Sequence, residues 1–159
     1  MRAKGQIIIF SFILGFALTY GSAIAAGTSS TKSSPPKVSP EFKAGKEAVD
    51  KKDFQSAISH LSKALEKDPN NADTQNLLGY SYRKLGDTEK AFTHYEIALK
   101  INPKHRGANE YLGELYLETG QVAKAEERLE VLDNACFWGC EEYDELKEAI
   151  EKYKAENKP

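Results

Sequence analysis

The sequence predicts an all-α protein, an α-solenoid of three tandem helix-turn-helix units closed by one further helix at the C-terminus. Three observations carry this expectation. Gly45, Gly79 and Gly113 recur every 34 residues, as do Ala57, Ala91 and Ala125. Between these markers apolar residues fall three and four apart in stretches rich in Ala, Leu, Glu and Lys, the period of a helix buried on one face. Pro69 and Pro103 follow Asp68 and Asn102 at the same interval, where a second helix has to stop. A fixed period of this length belongs to stacked units, none of which can bury its apolar face alone.

Ahead of the repeats, Arg2 and Lys4 precede an apolar run from Ile7 to Tyr20, and small residues follow in Gly-Ser-Ala-Ile-Ala-Ala-Gly. The run is shorter than the roughly 20 residues that span a bilayer, and Ala23-Ile24-Ala25 has the small-x-small pattern of a signal peptidase site. Residues 1–25 are expected to be a signal peptide cleaved after Ala25, with an uncleaved anchor as the alternative. A periplasmic or secreted protein with no membrane span after cleavage is the result. Residues 26–40 hold three prolines and almost nothing apolar, which reads as a flexible linker. Removing Arg2 and Lys4 from the 22 basic residues leaves 20 against 24 acidic ones, a net charge of −4. That balance disfavours nucleic acid, which demands a concentrated basic face.

The domain is expected over 41–159, with units at about 38–71, 72–105 and 106–139. Their helices are read at 41–52 and 54–68, 73–85 and 88–101, and 107–119 and 122–134. The recurrent Gly and Ala positions are places where helices approach closely, and Leu78, Tyr82, Leu112 and Tyr116 supply the bulk between layers. From 141 to 156, Tyr143, Leu146, Ile150 and Tyr153 form one apolar stripe on an otherwise charged helix. Such a helix caps a solenoid whose last unit would otherwise leave an apolar surface in water.

In the second unit Leu78, Gly79, Tyr82, Gly86, Ala91, Tyr95, Ala98 and Pro103 stand at fixed offsets, and in this the chain resembles the tetratricopeptide repeat family. The first unit keeps Gly45, Ala57, Leu61, Ala64 and Pro69 but has Ala44 and Ala48 where bulk is usual. The third keeps Leu112, Gly113, Tyr116, Gly120 and Ala125, then departs with Leu132 and Phe137. All three units lack the family's first-helix Trp, having Glu41, Gln75 and Asn109 there.

The resemblance implies that the first helices line a concave groove. By register its residues are Phe42, Lys46, Val49 and Asp50, then Asp73, Asn76, Tyr80, Arg83 and Lys84, then Glu110, Glu114, Leu117 and Glu118. Lys46, Arg83 and Lys84 would make one part basic and the three glutamates the other part acidic. The glutamates follow one another at i, i+4 and repel unless cations sit opposite. They read either as a solvated face or as a site for a basic peptide. Family members that grip a C-terminal carboxylate use Lys, Asn and Arg at positions held here by Phe42, Lys46, Leu77, Gly107 and Tyr111, so tail capture of that kind is not expected.

The segment Ala135-Cys136-Phe137-Trp138-Gly139-Cys140 departs from the repeat and holds both cysteines of the chain. Cysteines four apart across a helix end containing Gly can reach the separation a disulfide accepts, and an exported chain meets an oxidising compartment. A structural disulfide pinning the cap is expected, with a redox pair or a soft-metal site as rivals. Phe137 and Trp138 are expected to pack between the third unit and the cap, the alternative being an exposed aromatic contact.

His60 and His94 share one register position, about 10 Å apart in stacked repeats, too far for one metal ion, and are expected on the convex surface. His105 falls in an inter-repeat turn. No Ser or Cys nucleophile has an orienting partner, so no catalytic, metal or cofactor site is expected. The reading that follows is a non-catalytic module holding a protein or peptide segment, as a scaffold or assembly factor of a bacterial envelope. A thiol-redox or soft-metal-handling protein acting through Cys136 and Cys140, and a self-associating scaffold, are the alternatives.

Overall fold

The computed structural model describes residues 38–158. The expected signal peptide, and the linker up to residue 37, lie outside the described residues. Seven helices follow in order: α1 (Pro40–Asp50), α2 (Phe54–Lys67), α3 (Ala72–Lys84), α4 (Thr88–Ile101), α5 (Arg106–Glu118), α6 (Val122–Ala135) and α7 (Glu141–Glu156). α1 begins inside the segment read as linker, because Ser39 accepts the Phe42 N–H at 3.0 Å and Pro40 sits where its missing N–H costs nothing. Asp53, Asn71, Asp87 and His105 cap α2 to α5 in the same way, each accepting a backbone N–H three residues on.

Each unit turns from its first helix to its second through a left-handed residue. Gly86 at φ +82° and Gly120 at φ +75° suit that conformation, but the first unit puts Lys52 there at φ +60°. The small-residue register has the expected cause. A Cβ on Gly45 would stand 2.6 Å from Leu61, and one on Gly79 would stand 2.6 Å from the Tyr95 ring. Leu61 and Tyr95 are both fully buried against these notches. The family's Trp position is filled by hydrogen-bonding groups, which in the first two units tie first helix to second and in the third hold the turn that precedes α5. Glu41 receives Lys67 Nζ at 2.6 Å, Gln75 Oε1 lies 2.7 Å from His94 Nδ1, and buried Asn109 donates to the Pro103 and His105 carbonyls.

Successive first helices touch, α1 with α3 and α3 with α5, whereas α2 does not reach α4 and α4 does not reach α6. The stack therefore curves with α1, α3 and α5 on its inside. Three apolar clusters run along it: Ala48, Ile58, Leu61 and Leu78; Ala91, Tyr95, Leu112 and Leu115; Leu117, Leu132, Leu146 and Ile150. The last is closed by α7, which packs on both α5 and α6. Leu146 fills the notch at Gly113, a place occupied in the other units by a residue of the unit's own second helix.

Candidate functional site

The inner face is built on α1, α3 and α5, and the expected groove residues divide by what their side chains do. Lys46 and Asp50 pair with each other at 3.2 Å on the exposed flank of α1. Phe42 is half-buried and lines a cleft of about 380 Å³ with Val38, Ala64, Lys67 and Thr74. Exposed Asp73 meets His105 Nε2 at 2.9 Å, while the Nδ1 of that ring caps α5. Tyr80 stands between Phe54 and Tyr111, ring centroids 6.0 and 5.0 Å away, with the Lys84 ammonium 5.1 Å over its ring. Val49 and Leu117 do not face the groove. Val49 packs on the first apolar cluster and Leu117, buried, belongs to the third. At this register position only Arg83 stays polar, so an apolar side chain there turns into the core.

The division into a basic and an acidic part is also corrected. Arg83, its side chain 8% exposed, reaches from α3 to α5, where its guanidinium bonds Glu114 and donates to Glu118 at 2.6 and 3.0 Å. Burial opposes its charge, but the hydrogen bonds and charges of Glu118 and Glu114 hold it firmly protonated. Arg83 is thus internal to the inner face. Glu110 is different again: it is 3% exposed, and burial together with Glu145 beside it pushes its carboxyl up to about 9. The three glutamates do not form one solvated face.

Tyr111 and three residues of α7, Glu141, Glu142 and Glu145, join Glu110 and Gly107 around a pocket of about 270 Å³. Reading α7 as a plain cap missed these residues. The 34-residue register carried one unit further would have found them, since it sets Leu146 beneath Leu112 and Glu141 beneath Gly107.

At the α6–α7 junction, Cys136 and Cys140 have Cα atoms 5.7 Å apart and sulfurs 2.06 Å apart. Phe137 and Trp138 are not packed between unit and cap. They are 87% and 92% exposed and touch each other edge to face, centroids 5.1 Å apart. The reason is local: the turn that brings the cysteines together, with Gly139 at φ +85°, points the intervening side chains outward. His94 is not a plain surface residue either. It stacks on Tyr82 at 5.3 Å and bonds Gln75, and burial with nearby Lys90 lowers its pKa.

Two tetratricopeptide repeat models match the sequence, over residues 42–105 and 82–135. No match was found among curated protein sequences. Solved structures share the fold. The Sgt2 TPR domain of Aspergillus fumigatus is 25% identical, with 77% of this chain and 80% of that one covered and a TM-score of 0.67. The TPR2B domain of yeast Sti1, in complex with pHsp70, is 17% identical over 74% and 95%, TM-score 0.67. The type III secretion translocator chaperone SycD of Yersinia enterocolitica is 16% identical over 79% and 98%, TM-score 0.67. With its 34-residue register, its glycine notches and its curved stack of helix pairs, the chain belongs to the tetratricopeptide repeat family.

Proposed function

We propose that the protein is a non-catalytic interaction module whose inner face captures an extended or helical segment of another protein. The observation that carries this reading is the half-buried Tyr80–Tyr111 pair on the inside of the curve, flanked by the Lys84 ammonium at one end and glutamates at the other. Aromatic rings with charged rims are what peptide grooves use as anchors. Two domains of similar fold have partners of this kind: the Sti1 TPR2B domain is in complex with pHsp70, and the first TPR of RPAP3 is bound to an HSP90 peptide. Their ligand is not carried over, because, of Phe42, Lys46, Leu77, Gly107 and Tyr111, only Lys46 is a cation, and it is paired with Asp50.

The setting we propose is the bacterial envelope, reached by export and cleavage after Ala25, with Cys136 and Cys140 joined as a disulfide that holds α7 at the end of the stack. Capture from envelope extract by the exported protein, compared with its Tyr80→Ala, Lys84→Ala form, tests the groove. Loss of a specific partner supports the reading, and equal capture by both forms removes the inner face from it. Intact mass with and without reductant tests the disulfide, and two alkylatable thiols in the exported protein would reject it.

A further inference from the structure

Phe137 and Trp138 are held edge to face at the tip of the turn that Cys136 and Cys140 bracket, almost wholly in water. Large aromatic rings exposed as a pair mark a contact surface, because their burial is worth far more than that of scattered apolar residues. The surroundings of the tip are of one sign. From residue 129 to residue 146 six residues are acidic and none is basic. Asp133, Glu141 and Asp144 have no ion-pair partner among the described residues. A tip of this charge is repelled by an anionic bilayer and drawn to an aromatic surface rimmed by cations.

The inner face of the same chain offers such a surface. Phe54, Tyr80 and Tyr111 form a half-buried strip, with Tyr80 6.0 Å from the first ring and 5.0 Å from the last. The Lys84 ammonium stands 5.1 Å over Tyr80, and Lys51 and Lys52 are exposed on the turn that leads into Phe54. None of these three lysines pairs with a carboxylate among the described residues. The acids on that side are already engaged: Asp50 with Lys46, Asp53 as the cap of α2, Glu114 and Glu118 with Arg83. The carboxyl groups of α7 lie beyond Tyr111, so the cationic end of the strip is the one at Phe54 and Tyr80.

We infer that the Phe137–Trp138 tip of one copy seats on the Phe54–Tyr80 strip of a second copy, the acids around the tip facing the lysines around the strip. The inference rests on the groove reading and names an occupant for it. Tip and strip are different surfaces of the chain, so the contact is heterologous: each copy offers its tip to one neighbour and its strip to another, and short head-to-tail assemblies follow. Two rings bury less than a standard interface does, and a dissociation constant of about 100 µM is expected. A segment of another protein that binds the strip more tightly displaces the tip. Assembly and capture therefore exclude each other.

The test is sedimentation equilibrium of the exported protein from about 10 to about 500 µM, with the emission of Trp138, the only Trp of the chain, followed over the same range. The average mass should rise with concentration and the emission move to the blue, both less at about 0.5 M salt than at about 0.05 M. The double variants Phe137→Ser, Trp138→Ser and Tyr80→Ala, Lys84→Ala should each stay monomeric alone. Mixed in equal amounts they should form a heterodimer and nothing larger, because one tip and one strip remain to meet. Lys84→Glu leaves every ring in place and should weaken association about fivefold, which keeps the test open should Tyr80→Ala not fold. A monomer throughout the range, association retained without the tip, or a mixture that stays separate would each overturn the inference. So would a blue shift of the monomer on vesicles of phosphatidylethanolamine and phosphatidylglycerol, which gives the tip to a bilayer. A protein that stays monomeric but loses its partner in Tyr80→Ala, Lys84→Ala defeats this inference alone, and one that assembles but captures no partner defeats the proposed capture alone.

Discussion

Glu110, Glu114 and Glu118 lie a turn apart along one side of α5, yet they live in opposite conditions. Glu114 and Glu118 share the buried guanidinium of Arg83, which reaches them from the preceding unit. Glu110, one turn earlier, faces α7, where burial and the neighbouring carboxyl groups, Glu145 first, push its pKa up to about 9. The difference lies in what the neighbouring unit supplies. α3 brings a cation to the middle of α5, and α7 brings acids to its start. An identical side chain is thus a charged strut at one end of the helix and a buried, protonated acid at the other.

Breaking the strut should have the largest effect. Arg83→Met leaves Glu114 and Glu118 facing each other without a cation, and about 3 kcal/mol of stability should be lost in chemical denaturation. A loss below about 1 kcal/mol would mean that water already satisfies both carboxylates. The opposite sign is expected at the other end. Because the folded pKa of Glu110 lies above its unfolded value, its contribution is fully present below pH 4.5 and is lost as pH rises toward 9. Glu110→Gln should therefore be near neutral at pH 4 and stabilise by about 2 kcal/mol at pH 8, flattening the dependence of Tm on pH. A parallel pH profile for both proteins would show that Glu110 is ordinarily ionised. Removing one carboxylate from the strut, as in Glu118→Gln, should cost only about 0.5 kcal/mol, since Glu118 is half-exposed and Glu114 keeps the guanidinium. The smallest change belongs to the Cys-bracketed turn. Replacing Phe137 and Trp138 by Ser should alter stability by less than about 0.5 kcal/mol in thermal melts, because the rings pack on nothing but each other. A larger loss would return them to the core from which the structure excludes them.

What was legible in the sequence was everything that repeats. The period placed the glycine notches, the buried alanines, and helix limits to within a residue or two, because each follows from contacts inside a unit or between units of one kind. The site was read less well, and its misreadings share a cause. Val49, Arg83 and Leu117 occupy one register position, but only the polar one faces the groove, so register alone could not separate them. The Arg83 strut joins residues 31 and 35 apart in the chain, a pairing that spacing within a helix does not announce. Glu110 owes its burial to α7, whose three acidic groove neighbours were hidden by treating that helix as an inert lid. The outward turn of Phe137 and Trp138 depends on the backbone between the two cysteines, and aromatic character argues for a core only where the chain can fold back.

The seating of Leu146 in the Gly113 notch bears on how this array can grow. A repeat protein of this kind lengthens by duplicating a unit, and each new unit needs a neighbour whose exposed face it can cover. α7 occupies that face with a side chain placed in the notch itself, so the third unit is covered by α7 and not by a second helix's side chain as in the other units. A 34-residue unit inserted between the second and third would keep both ends and lengthen the curve. The Leu146 seat thus makes the junction between the second and third units a place where the array can be lengthened without disturbing α7.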